Sequence, residues 1–354
     1  MRSFKQVYQE ALGILVAVVI ALLCGFVVIL ATSSQPMDAL SSLLLDPVSN
    51  LFNIGTIVNK AVPLIFTGLA LAVVFQSGVF SMGAEGQLYI GGFAGALAGV
   101  YLHGLPSWLH LIVIFVCAMA GGALFAAIAG LLKTYANANE IVTTLMLNFV
   151  AILTTSYLVN NVFKDPTSGG AARMKYLSPD LLLGRPFAGF PAHAGIFIAL
   201  AVAAIVYLLL YKTKLGYELR LVGKNGKFAR YGGISTKRVI LSSIMISGAL
   251  AGLAGIVEIL GIHGTFKDNF SAGLGFDGII IALLARNHPI GIVVASLFYA
   301  YIQVGAQTMQ VGSDMPREVA VIIQVMLVLL VSSQAIFHYM KQKFRAKGGE
   351  RHVA

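Results

Sequence analysis

The feature that most limits what this chain can fold into is a succession of long apolar runs. They lie near 11–31, 60–76, 86–102, 108–132, 140–160, 193–211, 239–262, 275–285, 289–306 and 317–338. A hydrocarbon layer about 30 Å thick takes about 20 apolar residues to cross as a helix. Inside lipid every backbone N–H and C=O must be satisfied internally, which leaves helices or closed barrels. Continuous runs, rather than alternating segments of about ten residues, select helices. Composition agrees: 58% of the 354 residues are apolar, 11% are charged and mean hydropathy is +0.86, whereas a soluble domain is roughly a quarter charged. The expected fold is an all-α integral membrane bundle of about ten transmembrane helices, with 1–354 forming one transmembrane domain. The eighth run is short and glycine-flanked, and is expected to be a short or broken segment.

The start, Met1-Arg2-Ser3-Phe4-Lys5 followed by the run 11–31, reads as an uncleaved first helix, because the run is too long for a signal-peptide core and further spans follow. Cys24 and Cys117 both sit inside apolar runs and read as packing residues, neither a disulfide nor a metal site.

Lys and Arg set the orientation. With the N-terminus in the cytoplasm, 17 of the 24 basic residues fall inside: Arg2, Lys5, Lys133, eight from Lys212 to Arg238, Arg286, and five from Lys341 to Arg351. Both ends are then cytoplasmic, with 161–192 an extracytoplasmic loop, 212–238 a basic cytoplasmic loop and 341–354 a basic tail. The net charge of +10 is thereby explained as topology signal and contact with anionic lipid, not as a nucleic-acid surface. The outer loop holds Pro166, Pro179, Pro186 and Pro191 and is expected to be irregular, with a short helix at most.

Gly83-Ala84-Glu85-Gly86 and Gly275-Phe276-Asp277-Gly278 each precede a run rich in small residues, and the topology makes those runs point in opposite directions. This is the pattern of an inverted repeat of two halves, with interrupted helices near the transport path. A carboxylate among glycines between two apolar runs is costly near lipid. Glu85 therefore reads either as part of a broken helix lining a path, with Gln87, or as a solvated turn residue. Asn139 and Glu140 read as the cap and first turn of the fifth span. Asn148, inside that span, bonds another helix or touches solute, the first being favoured. Asp277 reads as the cap of a short helix starting near 278, or as facing the vestibule. Glu85, Gln87, Asn148 and Asp277 are the polar candidates for a translocation path, and Gly83, Gly86, Gly275 and Gly278 the glycines expected to pack tightly.

In the inner loop the spacing predicts a short helix around 225–231 between glycine turns, suited either to docking in a partner's groove or to anchoring topology. Its candidate residues are Gly216, Gly223, Asn225, Phe228, Ala229, Tyr231, Gly232 and Ile234. The seven histidines are scattered without metal-ligand spacing. No phosphate loop, nucleophile elbow or acid–base pair is legible, so a non-catalytic chain without a bound cofactor or metal is expected.

At these segments the chain resembles the inner-membrane permease subunits of ribose-type, simple-sugar, nucleoside and branched-chain amino acid ABC importers. The carriers are residues 83–87, 139–147, 216–234, the stripe Ser247-Gly248-Ala249-Leu250-Ala251-Gly252-Leu253-Ala254-Gly255, and 275–279, which together span nearly all of the chain after residue 60. Within the group it looks closest to nucleoside permeases, with simple-sugar permeases the alternative. The resemblance implies a bacterial cytoplasmic-membrane subunit that works with an ATPase subunit carrying ATP and Mg, a second permease of a different or identical kind, and an extracytoplasmic binding lipoprotein. It also implies that 216–234 forms the coupling element that docks on the ATPase. An ion-coupled secondary transporter is the rival, for which only Glu85, Glu140, Glu258 and Asp277 could serve.

Overall fold

The computed structural model describes residues 26–326 apart from 31, 187–188, 315–318, 320 and 323–324. Most of the first and tenth apolar runs, and all of the tail 341–354, lie outside the described residues. The chain divides into two compact units, 1–57 with 297–354, and 58–296. The helices in order are α1 (Pro36–Leu44), α2 (Asp46–Ser49), α3 (Leu51–Gln76), α4 (Ala84–Tyr101), α5 (Ser107–Tyr135), α6 (Glu140–Tyr157), α7 (Gly195–Lys212), α8 (Lys214–Lys224), α9 (Gly226–Tyr231), α10 (Thr236–Glu258), α11 (Leu274–Leu284) and α12 (Pro289–Gly312). Two of them end in a π-helical turn, α6 through Leu158–Val162 and α10 through Ile259–His263.

Six of these segments are long and apolar enough to cross a membrane: α3, α5, α6 with its π turn, α7, α10 with its π turn, and α12. The α4 helix has 18 residues, and α11 only 11. At about 1.5 Å per residue α11 reaches roughly half-way through the hydrocarbon. Two short helices, α1 and α2, stand where the sequence showed no apolar run. Each carries a proline in its first turn, the position where a missing N–H costs nothing.

In the first unit, residues 42–44 of α1 lie directly against 301–308 of α12. A Cβ on Gly305 would come within 2.3 Å of the Leu43 carbonyl oxygen. Thr308 Oγ1 donates to the Ser42 carbonyl (2.6 Å) and Tyr301 Oη to that of Leu44 (2.6 Å). Leu43, Ile302, Ala306 and Met309 fill the space between. At the end of this unit the Ser33 and Ser34 hydroxyls and the Ser34 N–H donate to Asp314, holding its carboxyl down to about 2.

The second unit is built around α10, which packs on α5 and α4. Two-thirds of the apolar window of α10 is buried, against about a quarter for α5, α6 and α7, so those three present their apolar faces outward. The α10 contact is made by the small-residue stripe seen in the sequence. A Cβ on Gly248 would lie 2.4 Å from Gly122 O, one on Gly252 2.2 Å from Ala118 O, and one on Gly255 2.3 Å from Leu88 O. Glycines recur at steps of four and three residues because backbones, not side chains, form the contact. Apolar side chains gain little from meeting each other in lipid, and close backbone approach supplies the packing instead.

The segment 163–194 is irregular, with one 3-10 turn at Pro179–Leu181. It is tied to the loop after α10 by backbone bonds, among them Met174 N to Phe266 O, Leu177 N to Gly264 O and Asp268 N to Ala172 O, each 2.9 Å. The Thr167 hydroxyl and N–H donate to Asp165, which also pairs with Arg173 at 3.5 Å. Together they hold the Asp165 carboxyl below its usual range.

Gly252→Val should sharply reduce the yield of folded protein, since overpacking against a backbone carbonyl costs at least the upper end of about 1–3 kcal/mol. Gly184→Val, where a Cβ meets nothing within 4 Å, should be neutral. Monodisperse yield and thermal unfolding in detergent measure both. Equal behaviour of the two variants would contradict the backbone-contact account.

Candidate functional site

Between α3 and α4 the helix is interrupted over 77–83, within an apolar bundle. Such a break leaves first-turn N–H groups of α4 without intrahelical acceptors, and water is not there to take them. The α6 helix supplies the missing partners. Asn148 Oδ1 accepts from Gly86 N (2.9 Å) while its Nδ2 donates to Met82 O (2.8 Å), and Thr144 Oγ1 accepts from Met82 N (3.1 Å). Asn148 is 2% exposed, so of its two sequence readings the helix-to-helix bond is the one present. A Cβ on Gly86 would be 2.9 Å from Asn148 Cα, and one on Gly83 3.2 Å from Thr144 Cβ. Gln87 is buried, with its Oε1 unpaired.

The second interruption precedes α11, and here α4 supplies the acceptor. Glu85 Oε2 accepts from Gly275 N (2.6 Å) and Oε1 from Gly273 N (3.2 Å). Gly273 is left-handed at φ +98°, a geometry glycine adopts without strain. A Cβ on Gly275 would lie 2.3 Å from Glu85 N, and one on Gly278 2.7 Å from Thr67 Oγ1 of α3. The two glycine-led segments noted in the sequence therefore touch, and the carboxylate of one caps the helix of the other.

This bears on two expectations. Glu85 is 2% exposed, so of its two readings the solvated turn residue is excluded: it is a buried cap at a helix break. Asp277 does not cap α11, which starts at Leu274 with Gly273 as its cap residue. It sits half-buried one turn into the helix. Asn139 caps α6, accepting from Ile141 N (3.0 Å), and Glu140 pairs with Lys133 at 2.5 Å.

On the side of the basic loop, α7 runs through Thr213 into α8, and Thr213 Oγ1 accepts from Gly216 N (3.2 Å). Gly216 is pressed onto the end of α7, where a Cβ would be 2.1 Å from Leu209 O. Asn225 caps α9 by accepting from Phe228 N (3.0 Å). Ala229 is 0% exposed, while Phe228 is 62% and Tyr231 92% exposed. Ile234, half-buried, donates its N–H to Ala229 O (3.0 Å). The two aromatic rings thus stand free while Ala229 faces its own chain. The turn glycine after α9 is Gly233 (φ +80°) rather than Gly232, which has φ −76°. Gly223 makes no turn either. It lies in α8, where a Cβ would be 2.1 Å from Gln76 O and 2.9 Å from Gly78 N. The α8 backbone therefore rests on the α3–α4 interruption. Sequence reading missed this contact.

An interrupted helix, a carboxylate cap and a basic loop seated on the interruption are thus brought together. The family described as branched-chain amino acid transport system / permease component matches residues 53–332. The chain belongs to this permease family. It is 33% identical over 339 residues to the guanosine ABC transporter permease protein NupP of Bacillus subtilis, covering 94% of this chain and 96% of that one. It is 34% identical to the glucose ABC transporter permease protein TsgB13 of Haloferax volcanii, over 90% and 86% of the two chains. It is 28% identical to the nucleoside ABC transporter permease protein NupB of Lactococcus lactis, over 96% and 95%. The chain is thus a multi-pass membrane permease, a transport component of the ABC type.

Glu85→Gln replaces one acceptor oxygen with a donor facing an N–H. Hydrogen bonds to a charged group are worth about 1.5–3 kcal/mol, so the variant should unfold at measurably lower temperature in detergent and Glu85→Ala lower still. A carboxamide variant as heat-stable as the parent would show that the cap is dispensable.

Proposed function

We propose that this permease carries nucleosides across the bacterial cytoplasmic membrane by alternating access, driven by separate ATPase subunits that bind ATP and Mg. The observation that carries the mechanism is α9, a capped helix whose Phe228 and Tyr231 face away from the bundle while its neighbour α8 is seated on the α3–α4 break. Aromatic side chains exposed on a short rigid helix suit a partner's groove. Closure of the ATPases would push α9, and α8 would pass the motion to the interruption that Asn148 and Glu85 hold together. The substrate reading rests on the guanosine and nucleoside permeases among the relatives. Glucose is the second reading, because a glucose permease is equally similar.

The ten-span organisation with both ends cytoplasmic and an inverted repeat is part of the proposal. The meeting of α4 and α11, each opening after a break, supports it. So are the extracytoplasmic loop 161–192, the cytoplasmic loop 212–238, a second permease subunit and a binding lipoprotein. An ion-coupled mechanism is disfavoured because Glu85 and Glu140 are already engaged by backbone N–H groups and Lys133.

Phe228→Ala with Tyr231→Ala should leave insertion at the parental level and abolish both ATPase co-purification and uptake. An interfacial aromatic anchor is worth about 2 kcal/mol or more, roughly thirtyfold in affinity. Ala229→Glu should instead lower the yield of folded protein. Normal co-purification and normal uptake of radiolabelled guanosine by the double variant would remove α9 as the docking site.

A further inference from the structure

Near the end of the bundle where 163–194 lies, three segments bring polar side chains together: the start of α7, the π turn after α10, and α3. His193 is seated by two glycines. A Cβ on Gly195 would be 2.5 Å from its ring, and one on Gly261 2.6 Å. Its Nδ1 accepts from Gly195 N (3.1 Å), so in the neutral imidazole the proton is on Nε2. That Nε2–H has no hydrogen-bond partner, although His193 is 1% exposed. Glu258, 7% exposed, has an unpartnered Oε2, and its Oε1 lies 3.4 Å from His263 Nε2. His193 and the Lys60 ammonium both lie within Coulombic reach of the Glu258 carboxylate.

Buried donors and acceptors in native proteins are nearly always paired, by protein, water or ligand. Here His193 Nε2, His263 Nε2 and Glu258 Oε2 are all left without a hydrogen-bond partner in one cluster. Among the described residues no three His, Cys, Asp or Glu side chains gather to hold a metal ion. A group that accepts from Nε2–H and donates to a carboxylate oxygen is a hydroxyl or a water molecule. Beside the cluster the His263 ring meets Phe270 edge-on at 6.3 Å, and Phe270 packs on Tyr89 and Phe266 at 5.0 and 4.9 Å. Aromatic faces next to a hydroxyl reader suit a ring that carries hydroxyls. The cluster also adjoins a π turn, a feature common at functional sites.

We propose that His193 and Glu258 form a subsite that reads a hydroxyl of the carried solute, the sugar portion of a nucleoside or a free sugar. The subsite presupposes the transport reading above. Lys60 and His263 orient and balance the Glu258 carboxylate, and the aromatic group flanks the ring. A water molecule alone in this position is the competing occupant, and it would give no dependence on which hydroxyls the solute bears.

The test uses the complete transporter with its partner subunits in cells. Uptake is measured at saturating guanosine and at saturating 2′-, 3′- and 5′-deoxyguanosine, so that capture by a binding protein does not set the ratio. The parent should carry guanosine about tenfold or more faster than one of the three deoxy analogues, a difference expected for one buried hydrogen bond. In Glu258→Gln and in His193→Phe, inserted at parental levels, that ratio should fall toward one. An undiminished ratio in inserted variants overturns the subsite, as does a parent that treats all three analogues like guanosine, which leaves water as the occupant. Failure of both variants to insert makes the cluster a fold element and also overturns it. A parent that carries neither guanosine nor glucose overturns the transport reading instead, and the subsite with it.

Discussion

Two helix ends lie inside this apolar bundle, and their N–H groups must be satisfied by protein. The Asn148 amide and the Glu85 carboxylate do this, each from a different helix. An unsatisfied backbone group in lipid costs several kcal/mol, so the interruptions before α4 and α11 can exist only while α6 and α4 stay in place to cap them. The surrounding sequence follows from that requirement. Gly86 and Gly275 must lack side chains for the caps to approach, and Gly273 must be left-handed for the chain to enter α11. The stripe on α10 must be glycine so that α4 and α5 are held at backbone distance.

The same geometry links the two faces of the molecule. On one face α8 rests its backbone on residues 76–78, at the start of the first interruption. From there α4 leads to Glu85, Glu85 to α11, and Gly278 of α11 back to Thr67 of α3. Packed contacts of this kind are rigid over small displacements and give way as units. A push on α9 therefore has a short route of direct contacts to the interrupted helices. In the function proposed above, this route would make the chain the moving part of a machine whose energy comes from elsewhere.

Much of the fold was legible in the sequence because hydrocarbon enforces it. Apolar runs such as 108–132 and 193–211 became α5 and α7 with ends shifted by a few residues. The short run after Gly273 became the 11-residue α11, and Asn139 was visible as a cap from local pattern alone. What escaped depends on partners distant in the chain. Glu85 could not be told from a solvated turn residue because its acceptor role is defined by Gly275, 190 positions away. The burial of Ala229 and the freedom of Phe228 follow from how α9 sits on α8 and α10, which a six-residue helix cannot announce. Gly223 resembled a turn glycine because close backbone approach and turning ask for the same residue.

The central claim of the proposed function is that motion passes from α9 to the interruption through the backbone of α8 at Gly223. Gly223→Ala tests it most directly, because alanine favours the helix itself but would place a Cβ 2.1 Å from Gln76 O. The measurement is guanosine uptake together with substrate-stimulated ATP hydrolysis by the complete transporter. The account predicts that the ATPase still co-purifies with the variant, while uptake and stimulation both fall about tenfold or more, as a loss of about 1.4 kcal/mol of coupling would give. Parental uptake and stimulation from Gly223→Ala at equal expression would contradict it.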